Sequence, residues 1–200
     1  MKDEFNSKSW YKFKVVRDPY TRAVSSYYHV MGTWLNSMYF NFSKMGDEND
    51  LFLRKNASFI QFYEYYLKYF IVKKQHLNPA GGRHVLPQAA KFEIEYNKKF
   101  NKSIFNYIVH IENFDHDISV VNKKTKQHYY KGLYKDTHTI TKTNDYNNIT
   151  FLGNYPFSFF RKDKKLFAPY DHKLFYDKQT IKLISKIFAI DFELYNYQLL

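Results

Sequence analysis

Residues 14–29 read KVVRDPYTRAVSSYYH, and two side chains within them could hold an anion. Arg17 closes a β-branched run, and Asp18-Pro19 behind it is a helix-start pair: Asp can cap free amides, and Pro needs no amide partner in the first turn. A strand that delivers a guanidinium to a helix start builds an anion site from two sources. The first helical amides point outward unpaired, and the helix dipole adds partial positive charge. The planar fork of Arg17 can grip a phosphate through two parallel hydrogen bonds. Ser25, two turns into the helix, can add a hydroxyl. Spacing alone leaves an alternative open, in which Arg17 pairs with Asp18 or another acid and Ser25 and Ser26 are small packing residues.

Other side chains could also do chemistry. His84 carries an imidazole that titrates near neutral pH and could move a proton; it could equally be a loop histidine that orders its neighbours. Glu112 ends an apolar run and could be a base or brace a nearby Arg or amide, and bracing is favoured. His110, just before it, reads as a satisfied sheet residue. Arg22 reads as a brace or surface charge. Arg83, Lys142, Arg161 and Lys162 could meet an anionic acceptor, although a solvated surface explains them as well. No His pair stands at metal-ligand spacing with carboxylates beside it.

These residues need elements to position them. Phe13 to Val16 reads as a short buried strand, and Ala23, Val24, Tyr27, Tyr28 and Met31 then repeat at helical spacing, with Gly32 expected to end the helix. Residues 41–56 read as a polar connection. Asn56-Ala57-Ser58 precedes a second helix, in which Phe59, Phe62, Tyr63, Tyr66, Leu67 and Phe70 repeat at threes and fours. Residues 78–83 must be a loop. A second buried strand is expected over Tyr107–Ile111, with a helix entry from Phe114. Residues 122–150 read as surface loop, 151–170 as aromatic without a clean period, and Asp177–Phe188 as a helix striped by Ile181, Ile184, Ile187 and Phe188. Strand and helix signals alternate, so the expected class is α/β with a mainly parallel sheet flanked by helices, in a single domain over residues 1–200.

Composition narrows the function classes. The formal charge is +12, which suits anionic partners such as nucleic acid, sulfated or phosphorylated sugars, nucleotides or acidic lipid surfaces. Lys, Asn, Tyr, Phe and Ile are abundant together, however, as an AT-rich coding bias alone would produce. There is no cysteine, which excludes a disulfide framework, a thiolate nucleophile and a cysteine-bound metal. Neither a signal-peptide pattern nor an apolar run long enough to span a membrane is present. The chain therefore reads as soluble, and its compartment is left open.

Five segments in order give the chain a resemblance. "VVRDPYTRAVSSYYH" resembles the 3′-phosphate-binding segment of sulfotransferases that use 3′-phosphoadenosine 5′-phosphosulfate, and the carbohydrate-type family is most similar. "ASFIQFYEYYL" is similar to the family's segment after the first helix, "RHVLPQ" to its His-x-x-Pro-Gln element, and "YIVHIENFDHDI" to its strand ending in Glu-Asn and an acidic pair. "HKLFYDKQTIKLISKIFAIDFELYNY" is similar to its C-terminal helix and closing Asp-Phe…Tyr. The likeness runs from about Tyr11 to Tyr197.

The resemblance implies a P-loop-like sulfotransferase fold and transfer of a sulfuryl group from 3′-phosphoadenosine 5′-phosphosulfate (PAPS) to a hydroxyl of a carbohydrate-type acceptor. Adenosine 3′,5′-bisphosphate is then the product. Arg17 and Ser25 match the residues that hold the 3′-phosphate, His84 matches the family's histidine and is the candidate base, and Gln88 could hydrogen-bond acceptor or donor. No metal is required. A nucleic-acid partner is not expected, because the aromatic residues fall in stripes that a core would consume. Relatives in animal cells are commonly Golgi membrane proteins. The family's phosphosulfate loop, a Gly/Ser/Thr-rich turn bearing Lys or Arg, lies well upstream of Arg-Asp-Pro, whereas only sixteen residues precede Arg17 here. An N-terminally incomplete domain is therefore expected. A fragment, a domain completed by another chain, and a degenerate relative that no longer transfers sulfuryl groups all stay open.

Overall fold

The computed structural model describes residues 10–36, 56–66, 85–129, 140–146, 148–162 and 165–200. Its helices are α1 (Pro19–Asn36), α2 (Phe59–Tyr66), α3 (Lys91–Phe100), α4 (Phe114–Thr125), α5 (Lys178–Ile187) and α6 (Ala189–Tyr195), and its strands are β1 (Phe13–Val16), β2 (Tyr107–His110), β3 (Ile140–Thr143), β4 (Arg161–Lys162) and β5 (Lys165–Pro169). The mixed α/β class expected from the sequence is what forms, in two small sheets. The described residues group into two compact units, each assembled from separate stretches of chain.

The first unit draws on Met1–Asp18, Pro87–Asp136 and Ile190–Tyr197. Strands β1 and β2 pair in parallel, with Phe13 opposite Tyr107 and Val16 opposite His110. Side chains alternate across a strand, and the two sides serve two apolar clusters. Val16 packs with Ala89 and Tyr195, fringed by Ile94, Ile108 and Ile190. Val109 packs with Ile118 and Val121 of α4, fringed by Phe13, Tyr107 and Phe114.

The second unit draws on Pro19–Leu86, Thr137–Ala189 and Gln198–Leu200. β3 and β5 are parallel, and β4 pairs antiparallel with β5. Its core is aromatic. The buried Tyr27 ring of α1 meets Phe62, Phe157 and Phe59 edge-on at centroid distances of 5.4, 5.5 and 5.6 Å, the geometry that the ring quadrupoles favour. The polar tips are satisfied locally: the Tyr27 hydroxyl donates to the Ala57 carbonyl at 2.7 Å and the Tyr63 hydroxyl to the Ala23 carbonyl at 2.9 Å. Helix α5 begins at a reciprocal cap, in which Asp177 accepts from the Thr180 amide at 2.8 Å and Thr180 Oγ1 from the Asp177 amide at 2.7 Å.

Two local expectations change. Gly32 does not end α1, which continues to Asn36. Its missing side chain serves packing instead, since an added Cβ would come 2.7 Å from Leu166 Cδ1. Residues 91–100 form α3, started by the Glu93 carboxylate accepting from the Ala90 amide at 3.0 Å. The stretch read as loop over 122–150 carries the end of α4 and strand β3. The expected continuation of the second helix past Tyr66, and the loop at 78–83, lie outside the described residues.

Candidate functional site

In the first unit, the carboxyl ends of β1 and β2 lie side by side, and Arg17 leaves β1 directly at that end. In open parallel sheets this is where ligands bind. The main chain of Arg17 is clamped by one side chain. Its amide donates to Gln88 Oε1 at 2.9 Å, and Gln88 Nε2 donates back to its carbonyl at 2.8 Å. The carboxamide thus pairs with the backbone as a neighbouring strand would. The next amide, of Asp18, donates to Glu112 Oε1 at 2.8 Å, and the other Glu112 oxygen accepts from the Tyr197 hydroxyl at 3.1 Å. Burial, then the charge and hydrogen bond of Glu112, raise the Tyr197 pKa above the tyrosine range, so the hydroxyl stays a donor.

Deeper along β1, the Lys14 ammonium ties three elements together. It pairs with the buried Glu93 carboxylate of α3, and donates to the Gln88 carbonyl at 2.6 Å and to the Tyr195 hydroxyl at 2.8 Å. Tyr195 in turn donates to Glu93 Oε2 at 2.7 Å. A buried charge pair is tolerable when its remaining donors and acceptors are filled, as they are here. At the end of β2, the buried Asp117 carboxylate accepts from the His110 amide at 2.8 Å, His116 Nδ1 at 3.0 Å and the Tyr107 hydroxyl at 3.2 Å. Burial pushes the Asp117 pKa up, but these donors outweigh it and hold the group below the usual aspartate value. The His110 ring spans Asp117 and the Tyr195 carbonyl, with Nε2 at 3.1 Å from the latter.

Of the residues singled out from sequence, Arg17, Gln88 and Glu112 therefore meet around one turn of backbone. Gln88, expected to touch acceptor or donor, has both polar atoms on Arg17. Glu112 accepts from a main-chain amide and a tyrosine. Ser25 stands half-buried on α1, in the second unit. There too the Arg22 guanidinium lies 5.5 Å over the Phe188 ring, and Lys142 donates to the Pro169 carbonyl at 3.3 Å. His84 and Arg83 lie outside the described residues. Sequence reasoning missed Lys14, which looked like one more lysine in a lysine-rich chain. Its signal was a charged residue inside a run otherwise read as buried strand. Among the described residues, no group of His, Asp and Glu could hold a metal ion, and no helix is long and apolar enough to cross a membrane.

The fold defines the class: a mixed α/β protein with Arg17 at the carboxyl end of a parallel strand pair, ahead of a long helix. The particular family follows from comparison: the chain belongs to the sulfotransferase family, whose model matches residues 1–198. No curated protein and no solved structure matches it. Family membership makes the chain a sulfotransferase-type transferase domain in a mixed α/β fold.

Proposed function

We propose that the protein moves a sulfuryl group from PAPS to a hydroxyl of a carbohydrate-type acceptor. The observation that carries this reading is the family match together with the clamped backbone of Arg17 at the carboxyl end of β1. A guanidinium with a fixed main chain loses less freedom when it grips a dianion. In this reading Arg17 and Ser25 hold the donor's 3′-phosphate. The donor supplies an activated sulfur: the bond from sulfur to its bridging phosphate oxygen breaks as the bond to the acceptor oxygen forms. His84 takes the acceptor's proton, and adenosine 3′,5′-bisphosphate leaves. Positioning and electrostatics supply most of the rate effect, as in phosphoryl transfer.

The test is transfer of labelled sulfate from PAPS to a panel of hydroxylated sugars. Turnover by the unaltered chain, lost in Arg17→Ala and in His84→Ala, is expected. Saturable nucleotide binding without turnover on any acceptor overturns the catalytic part and leaves a nucleotide-binding relative. Indifference to the nucleotide, with salt-sensitive binding of oligonucleotides, overturns the reading as a whole.

A further inference from the structure

The buried carboxylate of Asp191 supports a second role for the C-terminal helix. It accepts from two consecutive amides, of Gln88 and Ala89, each at 2.8 Å. Those bonds join residues 103 and 102 positions apart, so they fix the 88–89 turn against α6 rather than against its own sequence neighbours. Gln88 is the residue whose side chain then closes on both polar groups of the Arg17 backbone. A carboxylate, a turn and a carboxamide thus form one chain of contacts ending at Arg17.

A separate chain holds the following residue. Tyr197 follows Asn196, whose φ of 56° turns the main chain after α6; such a left-handed conformation is one that Asn tolerates. The Tyr197 hydroxyl donates to Glu112, and Glu112 accepts from Asp18. Two neighbouring amides are thereby held by two different routes, and the routes can be cut one at a time.

We propose that Asp191 is a positioning residue for the anion site: acting through Gln88, it sets the backbone of Arg17 and so the pose from which its guanidinium meets a phosphate. The proposal rests on the nucleotide-binding reading above for its ligand, but not for its geometry. Replacing Asp191 by Asn puts amide hydrogens against one of two N–H donors, which a single remaining oxygen cannot satisfy. The 88–89 turn then shifts, and Gln88 loses its alignment with Arg17.

Amide hydrogen exchange on the full chain reads this without any ligand. In Asp191→Asn and in Gln88→Met, exchange at the Arg17 amide accelerates at least about tenfold, as expected for losing a charge-assisted or well-aligned bond, while the Asp18 amide keeps its rate. General loosening would accelerate both amides together. Unchanged exchange at Arg17, or equal acceleration at Arg17 and Asp18, overturns the proposal. Titration with adenosine 3′,5′-bisphosphate supplies the second arm. Each variant binds about tenfold more weakly, and the double variant is no weaker than either single one, because both cut the same chain. Additive losses overturn the route through Gln88. Failure of the unaltered protein to bind the nucleotide overturns the reading of the ligand instead, and the exchange rates then decide the positioning claim alone. Gln88→Met, at a half-buried position, keeps the test decisive should Asp191→Asn fail to fold.

Discussion

Each of the two units is stabilised internally by different physics. In the second, rings from α1, α2 and the Phe157–Phe160 turn bury against one another, and the hydroxyls of Tyr27 and Tyr63 find carbonyls nearby. In the first, the apolar clusters are small, and the elements are joined by side chains that reach main-chain groups far away in sequence: Gln88 to Arg17, Glu112 to Asp18, Asp191 to the 88–89 turn. Apolar burial is strong but indifferent to direction. Hydrogen bonds contribute less each, yet they fix angle and register, and leaving one partner buried alone is costly. Among the described residues, precision is concentrated in the first unit, where directional bonds gather around Arg17, which the family resemblance assigns to phosphate.

The largest effect is expected from the aromatic unit. Tyr27→Ala should lower unfolding free energy by about 3–5 kcal/mol, the range for emptying a buried aromatic site. Tyr27→Phe, which keeps the ring and orphans the Ala57 carbonyl, should cost about 1–2 kcal/mol. Denaturant unfolding measures both, and equal losses would mean that ring burial is not what holds this unit. Next comes Lys14→Met, which leaves the buried Glu93 carboxylate without its cation. The loss should be about 2–3 kcal/mol, below the value for a fully buried pair because Lys14 keeps some contact with solvent. Nucleotide affinity should fall as well, since Lys14 also holds the Gln88 carbonyl; a stability loss with unchanged affinity would separate Lys14 from the site.

The smallest effect concerns pH. The Asp117 carboxyl titrates below its ordinary value of 3.8 in the folded chain. Its folded pKa is depressed, so its stabilisation is fully present above the ordinary value and disappears as pH falls through the lower folded one. Unfolding followed between pH 5 and 2 should therefore show a shallower acid decline in Asp117→Asn than in the unaltered chain, with a loss of about 1 kcal/mol at neutral pH. An identical acid slope would mean that the His110, His116 and Tyr107 donors do not stabilise the charge.

The split between the units also explains what the sequence disclosed. Local signals worked where neighbours decide the outcome: Asp18-Pro19 ahead of α1, the β-branched run of β1, and the isoleucine stripe of α5. They failed where tertiary contact overrides local pattern. Gly32 looked like a stop and is instead a close approach to Leu166, and the polar stretch read as loop over 122–150 carries β3, which pairs with β5. For the site, residue types were legible and partnerships were not. Arg17, Gln88 and Glu112 could each be singled out, but their contacts join positions 71 and 94 residues apart, beyond any periodicity. The closing Asp191 was visible as part of a motif without a role, because its partners are two backbone amides that carry no sequence signature.

Calorimetry with adenosine 3′,5′-bisphosphate against adenosine 5′-monophosphate decides whether Arg17 builds a 3′-phosphate site. If it does, the bisphosphate binds saturably and one to one, the monophosphate binds much more weakly, and that preference is lost in Arg17→Ala and partly lost in Ser25→Ala. Equal affinity for the two nucleotides, or a preference untouched by Arg17→Ala, would contradict it.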